Sequence, residues 1–175
     1  DPRKFVVIPN GYDLSALAPN PDAAAELRHR FDIPHHARVI GMAARWHPQK
    51  DHVTLLDALV ELRREMPDTI CLLAGDGVHS ANNGLKTLLQ TRHLTDHVRL
   101  LGAQPDISTF MSALDIHVLS SAFGEAFPNV VAEAMACKVP CIVTEVGDAK
   151  TIVGKTGWSV PRKDSHALAR ALRTA

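Results

Sequence analysis

The chain has 175 residues, of which 46% are apolar and 5% aromatic, and its 19 basic side chains are balanced by 19 acidic ones. This length and composition predict one globular domain with a sizeable core, and they exclude a disordered or fibrous chain. The formal net charge of zero argues against a surface for a long polyanion such as nucleic acid. No apolar run approaches the roughly 20 residues that a membrane-spanning helix needs.

Short apolar runs alternate with longer segments of helical period. This alternation predicts an α/β fold, a Rossmann-like doubly wound parallel sheet with helices on both faces. Strands are predicted at residues 39–43, 70–74, 98–101, 116–119 and 141–144. Helices are predicted at residues 50–65, 82–92, 107–113 and 129–137, with a short one opening at Pro21 and a last one from 164 or 165 to the terminus.

The first residues are expected to be a lead-in rather than part of the sheet. The chain enters an apolar run at residues 5–8, and residues 9–21 are predicted to form a turn followed by irregular chain. Such a segment is wasteful in a free-standing domain and favours a bridge from a preceding domain. We therefore expect one domain over residues 1–175, with residues 1–20 as an interdomain lead-in.

Cysteines and histidines give no metal site. Cys71, Cys137 and Cys141 lie in apolar segments, as reduced core thiols of a cytosolic protein do. Pro140 separates the last two cysteines, and no third ligand lies at a usual spacing. Most histidines are expected to be solvated, namely those at 35, 36, 47, 52, 93 and 97.

The loop after the first predicted strand carries two cations. Ligands of doubly wound sheets bind at the carboxyl ends of the strands, and Arg45 and Lys50 lie there, five residues apart. A lysine in a first helical turn opposes the helix dipole, so its presence favours an anion bound there with the free N–H groups of the helix start. Alternatively, Arg45 only caps the strand end and Lys50 is a solvated helix residue.

The segment after the fourth predicted strand carries two glutamates around a helix start. Pro128 fixes the entrance of that helix, so the N–H groups near residues 127–130 are predicted to point outward as a site for an anion or a hydroxyl. Glu133 lies four residues after Asn129 on the same helical face, and Glu125 lies in the preceding loop. Carboxylates are good acceptors for sugar hydroxyls. The alternative is two ordinary surface glutamates that flank a helix cap.

This arrangement resembles the C-terminal, donor-binding domain of the retaining glycosyltransferases of family 4 (glycosyl transferases group 1), which have the two-domain GT-B fold. The family's paired glutamates, eight positions apart around a Gly-Phe-Pro loop and followed by Ala-Met-Ala, correspond to residues 125–136. The match continues through residues 139–148 and 156–157. Residues 8–13 are similar to the interdomain signature, and Arg45 and Lys50 occupy the phosphate-binding pair.

The resemblance implies a role for each candidate residue. Arg45 and Lys50 would bind the diphosphate of a nucleotide-sugar donor and neutralise the charge that develops on the leaving group. Glu125 would accept hydrogen bonds from the donor sugar, and Glu133 from the ribose hydroxyls. The loop and helix start beside them would also bind the donor, through Ala126, Phe127, Pro128 and Asn129.

The resemblance also sets expectations for partners. No cofactor and no metal are expected, because the chain contains no Asp-x-Asp sequence and fixed cations with a helix end would replace a metal. A separate N-terminal acceptor domain would complete the active site, so the chain alone is expected to bind a hexose-type donor without transferring it. A cytoplasmic parent without nucleic-acid partners is expected, and peripheral membrane contact of that parent is left open.

Three positions depart from the family pattern. Ala126 and Lys138 replace glycines, and Thr151 replaces a frequent glutamate. The methyl group of Ala126 is expected to narrow the donor pocket or shift its loop.

Three other functions are alternatives to a glycosyltransferase: a nucleotide-sugar-binding module without transferase activity, a nucleotide-sugar epimerase of the same architecture and a dinucleotide-binding oxidoreductase. The last is disfavoured because no Gly-x-Gly-x-x-Gly follows the first strand.

Overall fold

Six parallel strands form the sheet at the centre of the protein. The computed structural model describes residue 6 and residues 10–175. In that part of the chain the strand order is β3-β2-β1-β4-β5-β6, and every neighbouring pair is parallel. The strands are β1 (Val39–Ala43), β2 (Ile70–Ala74), β3 (Val98–Leu100), β4 (Ile116–Leu119), β5 (Cys141–Thr144) and β6 (Trp158–Val160).

Seven α-helices flank the sheet within the described residues. Five of them begin at an Asn or Asp whose side chain accepts a hydrogen bond from a backbone N–H of the first turn. A 3₁₀ turn, Pro48–Lys50, precedes the second helix. The helices are α1 (Pro21–Arg30), α2 (His52–Leu62), α3 (Asn83–Thr91), α4 (Ile107–Ser112), α5 (Asn129–Ala136), α6 (Ala149–Val153) and α7 (Ser165–Thr174).

The core has two halves, one on each face of the sheet. Helices α2, α3 and α7 cover one half with residues such as Leu55, Leu85 and Leu168. Helices α1, α4, α5 and α6 cover the other half, where Phe110 and Val131 are fully buried. Every residue of β2, β4 and β5 is buried, as expected for strands covered on both faces. The predicted doubly wound parallel sheet is confirmed.

The strand order reverses direction between β1 and β4. From β1 the chain proceeds outward to β2 and β3, and it then crosses back to place β4 on the other side of β1. Ile40 of β1 lies opposite Cys71 of β2 and opposite Ile116 of β4. The loops that follow β1 and β4 therefore emerge side by side at the carboxyl edge, where doubly wound sheets bind their ligands.

Four strand predictions match in both bounds, and the third is one residue too long. Two elements were missed, β6 and α6, which have only three and five residues and are too short to show a period. Lys138, at a position where the family commonly has glycine, follows α5 with a φ of 61°. That left-handed conformation is the one that glycine supplies at the ends of helices.

The expected burial of the histidines and cysteines is only partly correct. His52 was expected to be solvated, but it lies at the start of α2 with 2% of its surface exposed, because its ring packs against Trp46. Cys71, Cys137 and Cys141 are free and buried, as predicted. Burial raises the pKa of Cys71 and Cys141 to about 12, so both thiols are poor nucleophiles.

Parts of the predicted lead-in cannot be compared with the structure. Residues 1–5 and 7–9 lie outside the described residues, and they include most of the apolar run at 5–8 and the start of the turn at 9–11. The interdomain lead-in therefore stays a prediction. In the described part of the chain, no helix combines the length and the apolar character that crossing a membrane requires.

Candidate functional site

Hydrogen bonds join the loop after β1 to the loop after β4. The backbone N–H of Ala122 donates to the carbonyl of Gln49 at 2.8 Å, and the Gln49 side-chain amide donates to the carbonyl of Gly124 at 2.8 Å. The buried Ser120 hydroxyl lies 3.0 Å from the carbonyl oxygens of both Lys50 and Asp51. The two loops therefore form one surface at the carboxyl edge of the sheet.

An ion pair between Lys50 and Glu125 lies at the centre of this surface. Lys50 Nζ is 2.5 Å from Glu125 Oε1, and the two side chains are only 16% and 8% exposed. The Ser121 hydroxyl donates to the same carboxylate oxygen at 2.6 Å. The structure thus brings together a predicted phosphate ligand and a predicted sugar ligand, and the direct contact between them was not predicted.

Arg45 provides a second positive charge beside the ion pair. Its side chain is exposed, and Nη2 donates to the Gln49 side-chain oxygen at 3.2 Å. Gln49 thus contacts both Arg45 and the loop that carries Glu125. A guanidinium that is held by one neutral acceptor and open to solvent is well placed to bind a phosphate bidentately.

The start of α2 is capped by a protein side chain, and one expectation about this helix is wrong. Lys50 is not in the first turn of that helix, because α2 begins at His52 and Lys50 closes the preceding 3₁₀ turn. Asp51 caps α2, and its carboxylate accepts hydrogen bonds from the Thr54 N–H at 3.2 Å and from the Thr54 hydroxyl at 2.7 Å. Positive charge in this loop therefore comes from side chains and not from the helix end.

The start of α5 differs from the capped helix starts elsewhere in the fold. Its N-cap is Pro128, which makes no side-chain cap hydrogen bond. Asn129, the first helical residue, is exposed, and its side-chain oxygen accepts hydrogen bonds from Asn10 at 2.8 Å and from the Tyr12 hydroxyl at 2.9 Å. Within the described residues no side chain caps the first N–H groups of α5, which suits an anion or a hydroxyl.

A cleft of about 340 Å³ opens beside the start of α5. Asn129 and Glu133 both line it, as their four-residue spacing predicts, and burial raises the pKa of Glu133. The cleft has room because small residues end β1 and β2. Its remaining walls are Ala43, Ala44, Ala74, Gly75, Gln104, Ile107 and Val130.

The other predicted donor-binding residues lie where the chain enters α5. Ala126 is exposed, Phe127 is half-buried and Pro128 is buried. The Ala126 carbonyl accepts a hydrogen bond from the N–H of Asp148 at 2.9 Å, which ties this entry to the loop after β5. Gly75-Asp76-Gly77, which directly follows β2, forms a turn.

Several polar residues of the site were missed from the sequence. Gln49 and Ser121 contact the predicted residues directly, and Gln104 lines the cleft. The available signal was weak: Ser121 and Thr144 are polar residues at the carboxyl ends of otherwise apolar runs. That position alone does not distinguish a ligand from a residue that satisfies backbone groups.

Gly147 fixes the backbone of the Glu125 loop, which gives a testable prediction. A Cβ atom at Gly147 would lie 2.2 Å from the Glu125 carbonyl oxygen, and Gly147 also has a φ of 56°. We expect Gly147→Ala to lower the free energy of unfolding by about 3 kcal/mol, through left-handed strain and displacement of that carbonyl. Urea unfolding followed by circular dichroism measures the loss.

The matched control for that prediction is Gly102→Ala. Gly102 has a similar φ of 69°, but nothing lies within 4 Å of the position of its Cβ atom. Gly102→Ala should therefore lower the free energy of unfolding only through left-handed strain, by about 1 kcal/mol. Equal losses at the two glycines would show that the Glu125 loop yields freely and does not depend on Gly147.

Comparisons with known proteins identify the family of this chain. The sequence profile of the family described as "Glycosyl transferases group 1" matches residues 37–175. A D-inositol 3-phosphate glycosyltransferase of Kineococcus radiotolerans is 33% identical over 193 aligned positions, which cover 99% of this chain and 44% of that protein. An Escherichia coli UDP-Gal:alpha-D-GlcNAc-diphosphoundecaprenol alpha-1,3-galactosyltransferase is 31% identical, with 98% of this chain and 45% of that protein covered.

Solved structures show the same relation. A glycosyltransferase from Rickettsia africae superposes with a TM-score of 0.91 at 28% identity, covering 99% of this chain and 47% of its own. The Anabaena protein Alr3699/HepE in complex with UDP-glucose superposes with a TM-score of 0.85 at 27% identity, covering 94% of this chain and 46% of its own. The chain thus spans somewhat less than half the length of each of these four proteins. It belongs to the glycosyl transferases group 1 family.

Proposed function

We propose that this chain is the donor-binding half of a retaining family 4 glycosyltransferase that transfers a hexose-type sugar from a nucleoside diphosphate sugar. The observation that carries the proposal is the Lys50–Glu125 pair at the reversal of strand order, with Arg45 beside it. Cations suited to a diphosphate lie there against a carboxylate suited to sugar hydroxyls. The likeness to a protein bound to UDP-glucose supports the same assignment.

Arg45, Lys50 and the start of α5 bind the diphosphate in this proposal. When the bond between the sugar and the diphosphate breaks, negative charge collects on the departing phosphate oxygen. Fixed cations and a helix N-terminus stabilise that charge more in the transition state than in the bound donor, which is the condition for faster transfer. These groups supply the positive charge that a metal would otherwise bring, so we propose that diphosphate binding is independent of metal.

Lys50 contacts Glu125 in the empty site and exchanges that contact for the diphosphate when the donor binds. In the structure its ammonium group is balanced by the Glu125 carboxylate at 2.5 Å. An arriving diphosphate offers a stronger anionic partner, and the sugar hydroxyls offer Glu125 new donors. The ion pair therefore keeps both side chains in place in the empty site, and ligand binding exchanges its contacts rather than exposing unpaired charge.

Glu133 and the cleft bind the nucleoside. The Glu133 carboxylate lies in the cleft that begins at the start of α5, so a nucleotide whose diphosphate contacts that helix start directs its ribose toward Glu133. The acceptor half of the parent protein closes the site, and the chain alone binds donor without transferring it. We further propose a cytoplasmic parent, which the three buried free thiols favour.

Calorimetric titration of the 175-residue chain tests the proposal. UDP, UDP-glucose, GDP and GDP-mannose are added with and without EDTA. At least one nucleotide and its sugar nucleotide should bind below millimolar concentration, and EDTA should leave the dissociation constants unchanged. No binding of any of the four up to several millimolar would contradict a donor site, and loss of binding in EDTA would contradict metal independence alone.

Arg45→Ala should weaken the binding of the nucleotide and of its sugar nucleotide by the same factor. A charge-assisted contact to phosphate contributes about 1.5 to 3 kcal/mol, which corresponds to a loss of roughly tenfold to a hundredfold. Calorimetry on the variant measures both constants. Arg162→Ala is the control, because Arg162 is an exposed arginine in the segment after β6. Unchanged binding in Arg45→Ala would remove Arg45 from the diphosphate site.

A further inference from the structure

The Glu125 carboxylate is held by one oxygen only. Oε1 accepts from Lys50 Nζ at 2.5 Å and from the Ser121 hydroxyl at 2.6 Å. Within the described residues Oε2 has no hydrogen-bond partner, and it is not among the fully buried unpaired atoms. The carboxylate therefore presents Oε2 to a ligand while Oε1 is fixed by the protein.

Ser121 is itself fixed by the end of the neighbouring strand. The hydroxyl of Thr144, the last residue of β5, donates to the Ser121 carbonyl at 2.6 Å. The two residues have relative exposures of 0% and 1%. This hydrogen bond fixes the backbone from which the Ser121 side chain projects, and the bond to Glu125 Oε1 fixes the side chain itself.

We propose that Ser121 is the positioning residue of Glu125, a role that rests on the proposed function. Lys50 and Ser121 differ in what a donor does to them. Lys50 turns toward the diphosphate when a nucleotide binds, whereas the buried Ser121 hydroxyl has no route to the ligand and keeps its hydrogen bond to Oε1. Ser121 therefore holds Oε2 toward the sugar hydroxyls in the loaded site, and it sets how strongly the sugar adds to nucleotide binding.

Ser120 provides a matched comparison in the next position. It is also 0% exposed, but its hydroxyl bonds to the carbonyl oxygens of Lys50 and Asp51 instead of the carboxylate. Ser120 joins the two loops of the site, whereas Ser121 contacts Glu125 within its own loop. A general loosening of the site would follow from either substitution, whereas misplacement of the carboxylate follows only from loss of Ser121.

The test compares UDP with UDP-glucose, and GDP with GDP-mannose, on Ser121→Ala, Ser120→Ala and Glu125→Gln. Calorimetry gives the ratio of the two dissociation constants within each pair. Ser121→Ala should lower the preference for the sugar nucleotide about threefold to tenfold. It should leave the dissociation constant of the nucleotide itself nearly unchanged. Glu125→Gln should lower the same preference, and Ser120→Ala should not alter it. Ser121→Ala added to Glu125→Gln should have no further effect on the preference.

The outcomes separate this inference from the proposed function. A selective loss in Glu125→Gln without one in Ser121→Ala would overturn the positioning role alone. No selective loss in either variant would overturn the assignment of Glu125 to the sugar, and the positioning role with it. If Ser121→Ala weakens the binding of nucleotide and sugar nucleotide equally, the positioning role of Ser121 is also overturned. If that variant does not fold, Ser121→Cys fills the same volume with a weaker donor and must show the selective loss.

Discussion

Lys50→Met is expected to weaken nucleotide binding strongly and to lower the free energy of unfolding by a large amount. The substitution leaves the Glu125 carboxylate, only 8% exposed, without its cation. Removal of one partner from a buried ion pair costs about 3 kcal/mol or more, because the remaining charge stays desolvated. The dissociation constant for the nucleotide should also rise by roughly tenfold to a hundredfold, because a charged contact to phosphate is lost. Urea unfolding and calorimetry measure the two effects.

The double variant Lys50→Met/Glu125→Gln separates these effects. It removes both charges, so most of the lost stability should return while nucleotide binding stays weak. The matched pair is Lys150 with Glu145, which have the same chemistry at 2.7 Å but are 64% and 46% exposed. Lys150→Met should leave unfolding nearly unchanged, because solvent screens exposed pairs. Similar losses at both lysines, or no recovery in the double variant, would contradict a buried pair that the fold depends on.

The folded chain should lose stability steeply as the pH falls from about 6.5 toward 4. Burial lowers the pKa of His52 to about 4 and that of His117 to about 3. Among the described residues neither ring has a hydrogen-bond partner, and the Asp51 carboxylate and the Ala44 backbone, which favour the charged form of His52, do not offset its burial. Between these values and the unfolded pKa of about 6.5 the unfolded chain binds more protons, so acid favours unfolding.

The size of that effect follows from proton linkage. Each histidine lowers the free energy of unfolding by up to about 1.4 kcal/mol per pH unit across this window. Urea midpoints measured from pH 7 to pH 4 give the slope. His117→Leu should flatten it, whereas His29→Gln should not, since His29 lies exposed on α1. Stability that is constant over this range would show that both rings find solvent or partners in the fold.

The sequence predicts the sheet well because burial on both faces makes its strands apolar. The bounds of β1, β2, β4 and β5 follow from such runs, whereas β6 has three residues and is only partly buried. His52 was misjudged for a related reason. The three residues before it in the sequence are polar, and in the fold its ring packs against Trp46.

The site could be predicted as a set of residues but not as a set of contacts. Lys50 and Glu125 are 75 positions apart, and their pairing depends on β4 lying beside β1. A resemblance to a family assigns each residue to a ligand group, and it does not show what that residue contacts when no ligand is bound. The same holds for Ser121 and Thr144, whose hydroxyls are aimed by the ends of β4 and β5.

Amide chemical shifts of the isotopically labelled chain, recorded as UDP-glucose is added, test the central claim most directly. The account predicts that the largest changes occur in residues 44–51, 120–130 and 133, around the Lys50–Glu125 pair and the start of α5. UDP alone should reproduce the changes near Arg45 and Glu133, with smaller ones near Glu125. Changes centred instead on the separate pocket between Phe31, Leu89 and Arg99, or no changes at millimolar ligand, would contradict a donor site at the reversal of strand order.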